Sequence, residues 1–399
     1  MKENVNDSFD IAVIGGGPAG LTFTRFIDSR NFSVALFERD NLLKEKPCAG
    51  VLSLRTLTQF DIPEEKAERK ITGIRVYYRG LVREISYNRT VMLNFDRSVL
   101  NKILVSYINR EEIHLFERFS VTQLYFHDDY WYLDVRNQVT DKHLKFKAKL
   151  IIGADGVNSI VAKATNIRKV YSPNEVGLSV QYWYELPEQD INAHFDGFNE
   201  IYYGRDVTPF GYAWVVPNKT KIRIGVGALT SKIDRNLKSY LDSFVSSKTF
   251  FGERLEKGRI INYQSGMTPL CGVKKPSYGK NAILVGDAAG HALPITGEGI
   301  AYAMRGGKIA AEIINKSLKS KRFTSKVGQE YERRWLKDFG SDLKWGHFLM
   351  RYFMRKTTKD TKSKLLNNEK LAYAVGNICL LYTSPSPRDL STSRMPSSA

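Results

Sequence analysis

Cysteine is scarce in this sequence, and its few copies form no recognisable pattern. Cys48, Cys271 and Cys379 are too few for a disulfide framework, and no CxxC pair offers a site for zinc or an iron–sulfur cluster. We expect no metal site and a reducing cytoplasmic location. The first residues, MKENVNDSFD, also lack the apolar segment of a secretory signal peptide.

Long hydrophobic runs are absent as well, since no apolar stretch reaches the roughly 18 residues of a transmembrane helix. The formal net charge is nevertheless +18, and residues 316–370 contain sixteen Lys and Arg against six Asp and Glu. Basic surfaces attract anionic partners, and no nucleic-acid-binding motif is present. We therefore expect a peripheral contact with an anionic membrane surface and no nucleic-acid partner. A solvated pair of basic helices is the alternative.

The last twenty residues, LLYTSPSPRDLSTSRMPSSA, are rich in Ser, Pro and Thr and have no apolar periodicity. They resemble the conceptual translation of a sequencing adaptor. We expect the native chain to be cut near Cys379 and residues 380–399 to be foreign to it. A genuine disordered tail is the alternative.

A glycine-rich segment near the N-terminus predicts a dinucleotide site. IAVIGGGPAGLTFTRFI is typical of a buried strand, a turn and a helix, with Gly15, Gly17 and Gly20 spaced as G-x-G-x-x-G. Such glycines allow a tight turn and the close approach of a pyrophosphate, whose oxygens lie on amides near Ala19. The next predicted strand, SVALFERD, places Glu38 where a carboxylate accepts from ribose hydroxyls.

A second glycine-rich segment, residues 281–314, favours FAD over NAD. It predicts a buried strand, a loop and a helix that begins near Ile300. Asp287 follows the strand, where it can accept from a ribityl hydroxyl, and Gly297 and Gly299 precede the helix. The positive end of that helix would stabilise negative charge on a reduced flavin. A glycine-rich turn beside a core helix is the alternative.

The intervening segments contain further strands and one helix with an unusual cation. Residues 93–108 predict a loop that enters a helix, with Arg97 in the first turn. The helix dipole disfavours a cation there, so Arg97 either serves a ligand phosphate or is an ordinary surface arginine. Residues 113–150 alternate in strand fashion and predict a β-meander, and residues 149–164 predict a strand that turns at Asp155 into a helix.

Together these patterns predict an α/β fold of mixed α+β character. It comprises a Rossmann-like FAD-binding domain of separated segments, an antiparallel-sheet substrate domain and C-terminal helices. The expected boundaries are 8–50, 93–165 and 266–315 for the first, 51–92 and 171–265 for the second, and 316–378 for the helices.

The stretch TPFGYAWVVP, residues 208–217, holds two large aromatic residues between Pro209 and Pro217. In a strand, Tyr212 and Trp214 point to the same face. They predict either an apolar binding surface or an ordinary piece of core.

These segments resemble flavoproteins of the para-hydroxybenzoate hydroxylase superfamily and, within it, the geranylgeranyl reductase family. GGGPAG, GADG and GDAAG…TGEG are the superfamily motifs, and KPCAG at 46–50 points to the narrower family. That family also carries P-x-x-Y-x-W-x-F-P, which 209–217 matches except that Val216 replaces the Phe. The resemblance covers about residues 8–315 and extends more loosely to residue 378.

The resemblance implies a set of site residues. Cys48 and Ala49 would lie close to the flavin, with Ala49 in place of the family's usual glycine, and Val121 would meet the adenine through its backbone. Tyr212 and Trp214 would line an isoprenoid cavity. The implied FAD contacts are Gly15, Gly17, Ala19, Gly20, Glu38, Cys48, Ala49, Arg97, Val121, Asp287, Gly297, Gly299 and Ile300.

The implied enzyme is an FAD-dependent oxidoreductase that saturates C=C bonds of geranylgeranyl chains, on archaeal-type lipids such as digeranylgeranylglycerophospholipid. Cys48 is the candidate proton donor or flavin-tuning thiol, unless it is a buried structural cysteine, and His291 is a weaker candidate acid. NAD(P)H or ferredoxin would supply electrons. Alternatives are an aromatic monooxygenase, a chlorophyll or menaquinone prenyl reductase, a membrane-bound electron carrier, and a copy that only binds FAD.

Overall fold

The computed structural model describes residues 7–78, 80–168, 170–204, 206–317 and 323–358. The segment 380–399, whose origin the sequence brings into question, lies outside the described residues, as does Cys379. Of the predicted C-terminal helical region, the described part is helical from Ser325 to Thr358.

The fold is mixed α/β, which confirms the predicted class. The helices are α1 (Pro18–Phe26), α2 (Leu54–Phe60), α3 (Arg97–Ser106), α4 (Ile160–Ala164), α5 (Glu188–Phe195), α6 (Leu237–Val245), α7 (Ile300–Ser317), α8 (Ser325–Trp335) and α9 (Ser341–Thr358). The strands are β1 (Ser8–Ile14), β2 (Val34–Glu38), β3 (Val51–Ser53), β4 (Arg69–Ile71), β5 (Gly73–Tyr78), β6 (Leu81–Ser86), β7 (Met92–Asn94), β8 (Ile113–Glu117), β9 (Phe119–His127), β10 (Tyr130–Asn137), β11 (His143–Gly153), β12 (Val176–Glu185), β13 (Phe198–Tyr203), β14 (Gly211–Pro217), β15 (Lys221–Leu229), β16 (Arg259–Pro269), β17 (Tyr278–Gly279) and β18 (Ala282–Leu284).

The chain divides into two compact units. The first contains the described residues within Met1–Glu45, Ser98–Gly177 and Met267–Arg351, and the second contains those within Lys46–Arg97, Leu178–Gly266 and Tyr352–Ala399.

The first unit is built on a sheet whose strands follow the order β17-β18-β11-β1-β2-β8. In addition, β10 pairs with β11, and β9 pairs with β10. Strand β1 is buried nearly throughout because it pairs in parallel with β2 on one side and β11 on the other. Helices α1 and α7 pack closely, since a Cβ on Gly307 would collide with the Ala19 carbonyl. Because these strands are parallel, the carboxyl ends of β1, β2 and β18 lie at the same edge of the sheet. The glycine turns follow at that edge.

The predicted meander differs from the structure at its first strand. Strand β8 pairs in parallel with β2, and the antiparallel meander consists of β9, β10 and β11. Arg118 separates β8 from β9 with a positive φ of 64°, so the chain changes direction there. A strand shows the same alternation of residues whether its neighbour is parallel or antiparallel, so the sequence does not reveal this break.

The second unit is built on a sheet in the order β16-β12-β15-β14-β13-β5-β6, beside a small sheet β3-β7-β4. Strands β13, β14 and β15 are antiparallel, whereas β13 and β5 are parallel. One sheet face carries a core that includes Val215 and Ile224 with Phe195 of α5 and Phe244 of α6. The opposite face carries the aromatic residues described below.

Across the part of the chain that the structure describes, no helix is both long enough and apolar enough to cross a membrane.

Candidate active site

The first glycine turn of the first unit is closed to side chains except at one position. Gly15 has a φ of +106°, and a Cβ there would collide with the Ala154 carbonyl. A Cβ on Gly20 would collide with the Gly15 carbonyl, whereas a Cβ on Gly17 would have no atom within 4 Å. Gly17 is the N-cap of α1, and Pro18 occupies the first helical position, where no N–H is needed. The space beside Gly17 at the N-terminus of α1 is open, as a phosphate site requires.

Glu38 fixes this turn from the end of β2. It is 4% exposed, and its Oε2 accepts from the Gly16 N–H at 2.7 Å while its Oε1 accepts from the Asp40 N–H at 3.0 Å. A carboxylate held by two backbone amides keeps lone pairs for further donors. Its position beside the turn suits the ribose role predicted for it.

The second glycine turn brings Asp287 to the start of α7. Asp287 lies in the short 3-10 turn Gly286–Ala289, and burial raises its pKa to about 7 although the residue keeps partial exposure. A Cβ on Gly299 would lie 3.4 Å from Asp287 Oδ1. Gly297 has a φ of +69°, and α7 begins at Ile300. A carboxylate thus stands beside a helix N-terminus, where ribityl hydroxyls and an electron-rich ring edge find complementary groups.

Small residues bring the two glycine turns together. A Cβ on Gly286 would lie 2.8 Å from the Ala19 Cβ and 3.4 Å from the Ala303 Cβ. Val121, in β9, is 8% exposed and belongs to the same core cluster as Phe37. The two glycine turns therefore lie close together in the first unit, and the backbone contact of Val121 with adenine stays a prediction.

The predicted acid His291 is unsuited to that role. It is fully buried against the rings of Trp335 and Phe339, with centroids 4.7 and 5.0 Å away. Neither ring nitrogen has a hydrogen-bond partner within the described ranges. Burial lowers its pKa to about 3, and Arg168 and Arg305 add to the shift. The imidazole is therefore neutral near pH 7 and holds no second proton to give.

Sequence reasoning missed one acid in this region, Glu298 of the TGEG turn. Burial raises its pKa to about 7, Asp342 adds to the rise and Arg305 opposes it. Its position between Gly297 and Gly299 was the only available signal, and glutamates in turns are usually solvated.

In the second unit, Cys48 begins a tightly held turn. The Gly50 N–H donates to Cys48 Sγ at 3.3 Å, and Gly50 has a φ of +71°. The guanidinium of Arg223, itself fully buried, donates to the Ala49 carbonyl and, at 2.8 Å, to the Phe95 carbonyl. The turn thus presents a half-buried thiol on a fixed backbone.

Arg97 is 3% exposed, so the surface alternative for this residue is wrong. Burial lowers the pKa of its guanidinium, and the neighbouring Cys48 thiol opposes that shift. A buried cation beside the Cys48 turn suits an anionic or electron-rich ligand.

Tyr212 and Trp214 lie side by side on one face of β14, as the alternation predicted. Their ring centroids are 5.8 Å apart, whereas Ala213 and Val215 point into the core on the other face. The indole of Trp214 covers Gly225 of β15, because a Cβ on that glycine would collide with the ring. Both aromatic residues keep intermediate exposure, whereas Ala213 and Val215 are fully buried.

Three further residues of this face were not found from the sequence. They share the face because β15 lies beside β14 and β12 lies beside β15 in the sheet. The guanidinium of Arg223 stacks 4.4 Å from the centre of the Trp183 ring. They are Gln181, Trp183 and Arg223. A glycine pair inside a strand, Gly225 and Gly227, was the one signal, since such glycines often mark close approach of another group.

The fold and the two glycine turns of the first unit define an FAD-binding flavoprotein. The residues present fit this cofactor, because Gly17 leaves open space at the α1 N-terminus and Asp287 stands at that of α7. The FAD binding domain family matches residues 8–326, and the chain belongs to that family.

Similar proteins extend over nearly the whole chain. A digeranylgeranylglycerophospholipid reductase of Methanocaldococcus jannaschii is 26% identical over 363 residues, 90% of each protein. A geranylgeranyl diphosphate reductase of Synechocystis is 29% identical over 360 residues, 86% of this chain and 85% of that protein. A crystal structure of a geranylgeranyl bacteriochlorophyll reductase-like protein of Thermoplasma acidophilum shares the fold. Its TM-score is 0.83 at 23% identity, over 94% of this chain and 96% of that one.

Proposed function

We propose that this protein is an FAD-dependent reductase that saturates C=C bonds of geranylgeranyl chains, with digeranylgeranylglycerophospholipid as its substrate. The observation that carries the proposal is the aromatic face of the second unit, where Tyr212 and Trp214 lie together on the sheet that also holds the Cys48 turn. The names of the relatives support the same substrate class.

An isoprenoid chain offers apolar surface and isolated double bonds but nothing to hydrogen-bond. Burial of apolar area is therefore the main attraction, at about 25 cal/mol per Å². Tyr212 and Trp214 provide rigid aromatic area for it. Their π faces also stabilise positive charge, which develops on a trisubstituted alkene carbon as a proton arrives.

The chemistry divides between cofactor and protein. Reduced FAD, when bound, supplies a hydride, which carries both electrons. An NAD(P)H or ferredoxin-type donor must then reduce the flavin again. The Cys48 thiol gives a proton to the other alkene carbon, and water returns one to the thiolate. Each double bond thus gains one hydride and one proton and becomes a saturated CH–CH unit.

The test of this activity is an anaerobic single turnover. The flavin is reduced with dithionite, excess reductant is removed, and digeranylgeranylglycerophospholipid is added while flavin absorbance and lipid mass are followed. We expect flavin reoxidation matched by a gain of two hydrogens per flavin, and no reoxidation with the fully saturated lipid. A flavin that stays reduced until air enters would contradict the proposal, and oxygen-dependent hydroxylation of a phenol would favour a monooxygenase.

The substrate headgroup is tested by competition. Equal amounts of geranylgeranyl diphosphate and digeranylgeranylglycerophospholipid are offered to the reduced enzyme, and both masses are read. We expect the phospholipid to be reduced first. Preference for the diphosphate would keep the prenyl reductase and replace its proposed substrate.

The role of Cys48 is tested by Cys48→Ala. Loss of the proton donor should lower prenyl reduction by about 10²-fold or more, as for other general acids, with the FAD content unchanged. Full turnover in this variant would remove Cys48 from the mechanism.

We also propose that α9 meets an anionic membrane. Trp345 and Phe348 are each 57% exposed on this helix, which also carries Lys344 and Arg351. Exposed aromatic and basic residues on one helix suit the interface of an acidic bilayer. Trp345→Glu should weaken co-sedimentation with phosphatidylglycerol vesicles, whereas Tyr125→Glu, at an exposed aromatic residue of β9, should not. Equal binding of both variants would contradict this surface.

A further inference from the structure

A buried amide network ties the Cys48 turn to the sheet of the second unit. Gln181, in β12, is 2% exposed, and its Nε2 donates to the Cys48 carbonyl at 3.3 Å and to Gln264 Oε1 at 2.6 Å. Trp183 Nε1 donates to the same Gln264 oxygen at 3.1 Å. One side chain therefore joins the Cys48 turn, β12 and β16.

The same side chain borders Trp214. A Cβ built on Gly225 would collide with the Trp214 indole and would lie 2.9 Å from the Gln181 Cβ, so both side chains meet over this glycine. Gln181 and the Trp214 ring thus border the same space over Gly225, so a shift of Gln181 would change the space available to the ring proposed to hold the prenyl chain.

Gln181 contributes hydrogen bonds rather than packing alone. Gln181 Oε1 and Trp214 Nε1 are buried, and neither has a hydrogen-bond partner in the described part of the chain. A buried acceptor without a partner is unfavourable, and an apolar side chain of similar length would avoid it. What the glutamine adds over such a side chain is its pair of N–H bonds.

The turn has a second anchor with a different character. Arg223 donates to the next carbonyl, that of Ala49, and also to Phe95 while its guanidinium covers the Trp183 ring. Removing a fully buried guanidinium would disturb the whole unit. Gln181 is neutral and holds the carbonyl of the thiol-bearing residue itself.

We propose that Gln181 is a positioning residue, whose amide sets the place of the Cys48 turn relative to Trp214. This inference rests on the proposed prenyl reductase function, in which Cys48 gives a proton to an alkene held by Trp214. It assigns Gln181 no contact with the reacting atoms.

The experiment compares Gln181→Met with Gln264→Met and with the control Gln123→Met. Methionine has a similar length and no N–H, and Gln123 is an exposed residue of β9 in the first unit. For each FAD-loaded protein, the rate of Cys48 alkylation by iodoacetamide is measured on the tryptic peptide 45–55. The kcat and KM for prenyl reduction, the FAD content and the melting temperature are measured alongside.

We expect Gln181→Met to raise the Cys48 alkylation rate at least about threefold and to lower kcat by about tenfold, as a misplaced catalytic group does. KM and FAD content should change little. Gln264→Met should act in the same direction with a smaller effect, and Gln123→Met should match the wild type. A structural role alone would lower the melting temperature without a selective effect on kcat or on Cys48.

Unchanged alkylation and unchanged kcat in folded Gln181→Met would overturn the inference. If that variant does not fold, Gln264→Met decides on the same two readouts. A changed Cys48 alkylation rate in a protein that does not reduce prenyl lipid would support the positioning and contradict the proposed function. If the wild type reduces prenyl lipid and both readouts are unchanged in the variants, the proposed function is supported and the positioning role of Gln181 is contradicted.

Discussion

The two glycine turns of the first unit, residues 15–20 and 286–299, are here called the FAD cradle, and they are built differently from the aromatic face of the second unit. The cradle exposes backbone groups because its glycines have no side chains, with Gly15, Gly17 and Gly20 inside one turn of six residues. The face uses large side chains from separate strands, where Trp214 covers Gly225 and meets Gln181. Amides and a carboxylate suit a polar, charged cofactor, whereas aromatic rings suit an apolar chain.

This difference predicts how each region responds to one added methyl group. In both regions two nearby glycines differ in the space around them, so each region offers its own control. The resulting predictions test whether cofactor binding and substrate turnover can be separated.

The largest effect is expected for Gly20→Ala, set against Gly17→Ala. At Gly20 the new Cβ collides with the backbone carbonyl of Gly15, which cannot move aside cheaply, so the first unit should be destabilised and the purified protein should lack flavin. At Gly17 the new Cβ meets no protein atom, so the melting temperature without FAD should be unchanged. Its methyl group would instead occupy the phosphate space, weakening FAD binding by about tenfold or more.

Melting curves of flavin-free protein and FAD titrations measure both quantities. If Gly17→Ala binds FAD as tightly as the wild type, the phosphates do not lie on this turn.

A smaller effect is expected for Gly225→Ala, set against Gly227→Ala. A Cβ on Gly225 collides with the Trp214 indole, and overpacking of this kind costs about 1–3 kcal/mol. The displaced ring should also lower prenyl turnover while the FAD content stays normal. A Cβ on Gly227 has its nearest contact, with Trp214, at 3.4 Å, so this variant should stay within about 0.5 kcal/mol of the wild type.

Urea unfolding and steady-state turnover test this pair. Equal turnover in the two variants would show that the place of Trp214 does not matter to the reaction.

An effect on stability alone is expected for the pH dependence of Asp287→Asn. Burial raises the pKa of Asp287 to about 7 in the folded protein, above the value of about 3.9 in an unfolded chain. The folded state then binds more protons between those values, so this residue lowers the free energy of unfolding as the pH rises from about 4 to 7. Asparagine does not titrate in this range, so the variant does not lose this part of its free energy of unfolding.

The melting temperature of flavin-free Asp287→Asn should therefore rise relative to the wild type as the pH increases across this window. Glu298 and His291 titrate in both proteins, so their contributions cancel in the difference. A difference that is independent of pH would contradict the raised pKa.

The sequence was most informative where the fold depends on neighbours along the chain. IAVIGGGPAG predicted β1, its turn and α1, and the helix expected near Ile300 begins at that residue. The alternation of Tyr212 and Trp214 in β14 also followed from local periodicity. In each case a few consecutive residues contain the whole signal.

What could not be predicted depends on partners far apart in the chain. Gln181 acquires its role from Cys48, 133 positions away, and Arg223 from Ala49, 174 positions away. The parallel pairing of β8 with β2 likewise left no mark in the alternation of residues 113–117. The surface position considered for Arg97 failed because burial depends on what covers a residue. Which prenyl lipid is reduced stays a prediction for the same reason, since a substrate pocket is a product of tertiary contacts.

The segmented first unit also sets an order of events during synthesis. Its sheet is completed by β18, which pairs with β11 from residue 282 onward, and Asp287 and α7 follow later still. All strands of the second unit's large sheet have been made by Pro269. A nascent chain can therefore assemble that sheet before the cradle exists, since domains fold as their segments leave the ribosome. FAD, whose proposed contacts include Asp287 and Ile300, is then not required as a template for the sheet that would hold the prenyl chain.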